Sequence, residues 1–310
     1  MMHKSRASLF TLLLVGALGL IFLTTGLAFA APPAGTISYW KLDEIVAGVP
    51  GVADAYEDVI NAPDGNNGEV PAAPKTAPLP NLAGIVGGAQ DFDGVADAID
   101  VPDPVDGSFD FALADSFTIE CWIKSAKVFG GADISQVFVG RDDFFVSGMQ
   151  WWLGMEGDGG PTAPGNVTFF LIDTDGVDTT LAPAVPVLIN DDAWYHVVAI
   201  YDGGAVSLYV NGVKVDEDLA TVFTGDFAAP GGADLNLGWL NIVGDYHYAG
   251  TLDEVALYSR ALTLAEIIEH YTNGLAGNGV DYVAPVVPAT PSSGGGGGGG
   301  GCFIGTTVGR

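Results

Sequence analysis

The chain has 310 residues, 48% of them hydrophobic, with 10 Lys+Arg against 38 Asp+Glu and a formal net charge of −28. So acidic a chain lacks the positive surface that releases counterions from nucleic acid, and an anionic membrane surface repels it. It is rich in oxygen ligands for hard cations.

At the N-terminus, His3, Lys4 and Arg6 precede an uncharged apolar run from Leu9 to about Ala30, which ends Ala28-Phe29-Ala30. A positive start, an apolar stretch and small residues at the cleavage positions make residues 1–30 a secretory signal peptide. The run is also long enough to span a bilayer, so an uncleaved anchor is the alternative. Thr24, Thr25 and Gly26 interrupt the run, and the A-x-A site favours cleavage. The mature chain is then secreted or held at the cell surface, without a transmembrane segment. It keeps 8 basic and 38 acidic residues, because the signal removes Lys4 and Arg6 and no acid.

Residues 31–278 read as one all-β domain. Strand signals fall at 37–42, 98–101, 117–124, 136–140, 150–155, 167–172, 194–201, 205–215, 235–238 and 250–258. In 117–124, Phe117, Ile119, Cys121 and Ile123 alternate with Thr118, Glu120, Trp122 and Lys124. One set faces a core and the other faces away. In 194–201 both sets are largely apolar, which suits a strand buried on both sides. Asn211-Gly212 supplies the two positive-φ residues of a type I′ hairpin turn. Short strands at this spacing predict an antiparallel two-sheet sandwich or jelly roll.

One helix is predicted, over 264–271. Thr263 and Glu266 have capping-box spacing. Leu264, Ile267, Ile268 and Tyr271 form an apolar stripe, and Asn273-Gly274 reads as a stop. Residues 279–301 form a Pro/Ser/Gly-rich linker that includes an unbroken glycine run, 294–301, and residues 302–310 form a short tail. Cys121 falls in a core strand and reads as a buried free thiol. A disulfide to Cys302 would tie the tail to the interior and is not expected.

Six phrases in order carry a resemblance. They are ISYWKLDE (37–44), DGNNGEV (64–70), AQDFDGVADAIDVPD (89–103), DSFTIECWIK (115–124), WYHVVAIYDGGAVSLYVNGVKV (194–215) and GTLDEVALYSRALTLAEIIEHY (250–271). Together the chain resembles laminin-G-like, concanavalin A-type jelly rolls of bacterial exported proteins. The resemblance implies an all-β, antiparallel two-sheet jelly-roll sandwich with one short C-terminal helix. It also implies a structural calcium ion, with Asp253 of LDEV at the late acidic position. Asp43, Asp54 and Asp58 are its expected neighbours; solvated loop acids are the alternative. The glycine tract followed by Cys302-Phe303-Ile304 resembles the C-terminal CFI box of exported proteins, which implies anchoring through Cys302. The match departs at Gly305 and Thr307, and an inert tail is the alternative.

Sugar sites combine aromatic faces with a few polar groups. Trp151-Trp152 is the most conspicuous aromatic pair. Neighbours on a strand point oppositely, so one ring faces the core and the other outward. Trp122, Tyr246 and Tyr248 are further candidates, with ordinary packing as the competing role. Retaining glycosidases need two carboxyls about 5 Å apart, and on this architecture they carry Glu-x-Asp-x-x-Glu, which is missing. Glu156-Gly157-Asp158 starts that phrase, but Pro161 stands where its last Glu belongs. Glu120 has no same-face acid at Thr118 or Trp122. Asp216, Glu217 and Asp218 read as a turn, and His196 as a packed or hydrogen-bonded strand residue. The expectation is a non-catalytic, exported adhesion or recognition module whose partner is a glycan or an extracellular or surface protein. A structural spacer is the first alternative, and a glycosidase or lyase the second.

Overall fold

A computed structural model describes residues 32–60 and 65–282. The signal peptide, Asp64, most of the linker and the tail with Cys302 lie outside the described residues. The strands are β1 (Thr36–Trp40), β2 (Leu79–Asn81), β3 (Ala89–Asp93), β4 (Ile99–Val101), β5 (Ser116–Lys124), β6 (Gln136–Asp142) and β7 (Gln150–Met155). There follow β8 (Val167–Ile172), β9 (Asp178–Leu181), β10 (Trp194–Asp202), β11 (Ala205–Val210), β12 (Val213–Asp218), β13 (Leu235–Leu237), β14 (Ala249–Tyr258) and the helix α1 (Leu264–Leu275).

They build two antiparallel sheets. The larger runs β12-β11-β10-β5-β14-β3-β2, with β1 also on β14, and the smaller runs β4-β13-β6-β7-β8-β9. The jelly-roll sandwich is therefore as expected. Its core lies between the inner faces. Phe117, Ile119, Cys121 and Ile123 of β5 and Val197, Ala199 and Tyr201 of β10 meet Trp151, Leu153, Phe169 and Leu171 of the smaller sheet. Interdigitated sheet faces of this kind form a close-packed layer about 10 Å thick. Within it Cys121 is a free thiol, and burial pushes its pKa up.

Local rules explain the edges of the elements. Asn211 and Gly212 take φ of 52° and 77°, as a type I′ turn requires. Asp216, Glu217 and Asp218 belong to β12 rather than to a turn. β12 is an edge strand, and charges there discourage further strand addition. Arg141 is fully buried at the inner end of β6. Its guanidinium donates to Ala233 O (2.8 Å), Phe109 O (2.6 Å), Asp110 Oδ1 (2.8 Å) and Asp103, which clamps the 103–110 segment to the smaller sheet. Among the described residues no helix is long and apolar enough to cross a membrane.

The outer face of the larger sheet is covered by α1. The Thr263–Glu266 capping box forms as expected. The helix runs to Leu275, past the predicted stop, and its buried residues are Ile267, His270 and Gly274. Leu264 and Ile268 are 53% and 46% exposed. The reason is steric. A Cβ on Gly274 would lie 2.4 Å from Trp122 Cζ2, so glycine is the contact residue that lets the helix settle on the indole. Tyr271 stacks on the same indole at 5.7 Å between centroids.

Beneath α1 lies a buried polar cluster. Glu120 of β5 is fully buried. Its Oε2 is 3.0 Å from His196 Nε2, its Oε1 is 3.0 Å from His270 Nδ1, and Tyr258 donates its hydroxyl to Oε1. Burial alone would raise the Glu120 carboxyl. The charge of His270 and the hydrogen bonds from both histidines outweigh it and hold the group well below the usual carboxylate range. Burial would lower the His270 pKa, but the Glu120 charge reverses that and raises it. His196 is thus hydrogen-bonded as expected, and Glu120 gains its partners from another strand and from the helix.

Two outcomes follow. Glu120 is depressed, so its contribution is present above its unfolded pKa, about 4.3, and is lost as pH falls below it. His270 is raised, so its contribution is present below its unfolded pKa, about 6.5, and is lost as pH rises through the folded value. Urea unfolding of wild type and Glu120→Gln across pH 3–9 should therefore show the largest difference between about pH 4.3 and 6.5, on the order of 3 kcal/mol. A pH-independent difference would refute the charged pair. Separately, Gly274→Ala should destabilise by about 1–2 kcal/mol, because overpacking against Trp122 outweighs the better helix propensity of alanine. A rise in melting temperature would show that the contact is loose.

Candidate functional site

The aromatic candidates separate by face. Trp152, Phe170 and Thr180 lie in one cross-strand row with Gly140 and Asn236 on the outside of the smaller sheet. Trp152 stacks on Phe170 at 5.9 Å and takes the edge of Tyr246 at 6.2 Å. A Cβ on Gly140 would lie 2.8 Å from Leu240 Cδ1 and 2.9 Å from Trp152 Cβ, so the bare glycine lets Leu240 descend onto the indole. Trp152 is left 6% exposed. Trp151 points inward and is fully buried against Phe117, and Trp122 is buried under α1. Tyr248 is also in the core, where its hydroxyl donates to Lys124 O at 2.8 Å. The alternation of the Trp151-Trp152 pair is as expected. An open ring is not: the segment around 240–246 folds over the outward one, and the half-buried rings of Phe170 and Tyr246 are what reach solvent there.

The acidic candidates separate too. Asp58 is buried, and its carboxylate accepts from the amides of Tyr39 (2.9 Å), Ile60 (2.9 Å) and Asn66 (3.0 Å), so it pins a loop. Asp54 is exposed and accepts from Asn67 Nδ2 at 3.2 Å. Asp253 and Asp43 meet at the loop between β2 and β3. Asp253 Oδ2 accepts from the amides of Ile85 (2.8 Å) and Val86 (3.2 Å), and Asp43 accepts from Gly88. Burial pushes the Asp253 pKa up to about 8, and the charge of Asp43 adds to it. Glu254, next in the chain, is raised by burial and then by Asp253. Asp253 Oδ1 is buried without a hydrogen-bond partner. Among the described residues no group of three or more acidic, histidine or cysteine side chains converges on a metal position. The donor chemistry nevertheless fits calcium. Two mutually repelling carboxylates, one with an unpartnered buried oxygen, stand beside loop carbonyls, and hard cations take such oxygens.

A third place was not foreseen. A cleft of about 300 Å³ opens at the end of the larger sheet, lined by Asn81, Asp91, Lys124, Ser125, Asp192 and Thr251 among others. Cross-strand partners Asp91, Thr251, Lys124 and Trp194 form one row on the outer face. Asn81 Nδ2 donates to both Asp91 oxygens at 3.0 Å, and Thr251 Oγ1 donates to Asp91 Oδ1 at 2.6 Å. Asp192 forms the opposite wall. Its amide donates to Ser125 O at 3.0 Å, and its φ of 59° turns the chain there. The sequence signal was the outward Lys124 on an otherwise well-read strand. Its partners were hidden because β2, a three-residue strand containing Pro80, gives no alternation to read.

Searching curated proteins finds no match. Among solved structures, the chain is similar to the binding domain of Paraclostridial Mosquitocidal Protein 1, with TM-score 0.54, 18% identity and coverage of 76% of this chain and 52% of that one. It is similar to domain 4 of an extracellular arabinanase from Geobacillus stearothermophilus, solved with arabinotriose, with TM-score 0.51, 20% identity and coverage of 76% and 97%. It is also similar to the botulinum neurotoxin serotype D ligand-binding domain solved with N-acetylneuraminic acid, with TM-score 0.51, 14% identity and coverage of 77% and 51%. The chain spans about half the length of the two toxin domains. At these identities the likeness shows the fold. The family model described as the concanavalin A-like lectin/glucanases superfamily matches residues 93–268, more than half of the chain. With a two-sheet sandwich, a capped C-terminal helix and that match, the chain belongs to the laminin-G-like branch of the concanavalin A-like superfamily.

Proposed function

We propose that the chain is an exported recognition module that holds a glycan or a surface protein on the outside of its sandwich and does no chemistry on it. The observation that carries this reading is the cleft at the end of the larger sheet. It pairs carboxylate acceptors, Asp91 and Asp192, with an ammonium donor, Lys124, on a rigid strand floor. Preorganised polar groups on rigid elements suit binding. The arabinotriose and N-acetylneuraminic acid complexes of similar domains support a ligand of this kind. The signal pattern of residues 1–30 supports export, and the Cys302 tail supports retention at the surface.

Calcium belongs to the same reading. Asp253, buried, and Asp43, exposed, would hold one ion beside the 84–88 loop, and the ion would supply a positive charge that Asp253 otherwise lacks. Titrating calcium into chelator-treated protein should raise the melting temperature by roughly 5–10 °C at a hundredfold excess over Kd. Asp253→Asn should abolish the shift. An unchanged melting temperature in wild type would remove calcium from the account.

The recognition role itself is checked by presenting the mature protein to glycan and matrix-protein arrays, with calcium and with chelator. Binding to a defined glycan or protein class is expected. A blank result on both arrays would leave the spacer role in its place.

A further inference from the structure

We infer that the cleft of Asn81, Asp91, Lys124, Asp192 and Thr251 takes an uncharged sugar residue of a glycan, gripped through neighbouring hydroxyls. The inference rests on the recognition reading above and narrows its ligand class.

The first support is the state of Lys124. Seven lysines and arginines lie among the described residues. Lys41, Lys75, Lys127, Arg141, Lys214 and Arg260 each have a carboxylate oxygen within 3.0 Å. Lys124 is the exception, with its Nζ 4.0 Å from Asp192 Oδ1. That separation exceeds a hydrogen bond. A sugar hydroxyl bridging the two walls would accept from Lys124 and donate to Asp192. Such bonds to charged groups are the strong ones.

The second support is Asp91. Its carboxylate is held from below by Asn81 and Thr251, so it is oriented before any ligand arrives. A carboxylate with two oxygens has lone pairs beyond those three bonds and accepts further hydroxyl protons. Trp194 completes the row. Its ring centroid lies 5.4 Å from Lys124 Nζ, so the indole helps to hold the ammonium beside the cleft.

Charge then selects the ligand. Lys124 on the floor opposes a metal ion. Asp91 and Asp192 outnumber it and oppose a carboxylate or sulfate, and so does a chain with net charge −28. A neutral ligand that both donates and accepts satisfies all three groups. The volume, about 300 Å³, is at the small end of ligand pockets and suits one or two sugar units.

The test uses the mature protein and two sets of immobilised glycans. The neutral set is arabinan, xylan, mannan, galactan and β-glucan; the anionic set is polygalacturonate and a sialylated glycan. Binding within the neutral set is expected, weakened about tenfold or more by Lys124→Met and by Asp192→Asn, with melting temperatures retained. Asparagine tolerates the positive φ at 192, so that variant should fold. Neutral binding that neither variant weakens would overturn the cleft while leaving the recognition reading standing. Preference for the anionic set would overturn the ligand class. No binding to either set would overturn the inference together with the glycan arm of that reading.

Discussion

A carboxylate sealed from water organises the outer layer of this protein. Glu120 sits mid-strand on the outside of the larger sheet, where an uncompensated charge would cost several kcal/mol. His196 on the neighbouring strand, Tyr258 on the other neighbour and His270 on α1 all point at it. Removing the helix would strip one partner and flood the rest. The carboxylate therefore fixes where α1 docks, and Gly274 fixes how closely. Outward positions along β5 run Thr118, Glu120, Trp122, Lys124. His270 covers the second and Gly274 the third. The fourth is left to the cleft. The cleft is thus the part of the sheet's outer face that the helix does not reach.

The scarcity of positive charge makes the same point. Among the described residues of so acidic a chain, the cations have local tasks. Arg141 closes a segment over the core, and Arg260 joins the Glu266 end of the capping box to the strand before it. Lys75 lies over the Trp239 ring at 4.1 Å while pairing with Asp245. Lys41 reaches Asp281, beyond the predicted end of the domain, where Val280 is also buried. Against that background Lys124, whose ammonium stands 4.0 Å from Asp192 Oδ1, makes the loosest ion pair among the described lysines and arginines.

The regular part of this architecture was legible because period-2 alternation reports directly which face meets the core. Strands β5 and β10 show it: in β5 the apolar set that the pattern groups together faces the core, and β10, apolar on both faces, is buried on both. The Asn211-Gly212 turn and the Thr263 cap were legible because they depend on residues a few positions apart. What could not be read depends on distant partners. Glu120 looked solitary because its histidines stand 76 and 150 residues away. Trp152 looked open because Leu240 closes over it only once Gly140 is placed beside it. Leu264 and Ile268 looked buried because hydropathy cannot foresee a helix that docks through a histidine and a glycine. Asp43 and Asp253 were paired through resemblance, and the structure brings both to one loop, while Asp54 and Asp58 serve their own turns.

That loop links the two proposed sites. It leaves β2 directly after Asn81 and enters β3 two residues before Asp91, so its two ends carry the pair that floors the cleft. Its middle is held by Asp253 through the amides of Ile85 and Val86, and its end by Asp43 through Gly88. Burial and the charge of Asp43 favour the neutral form of Asp253, and a divalent ion between the two would favour the charged form instead. Ordering this loop would also order the Asn81–Asp91 contact. Coupling between two sites is reciprocal, so an ion that tightens the sugar site must itself be bound more tightly when sugar is present.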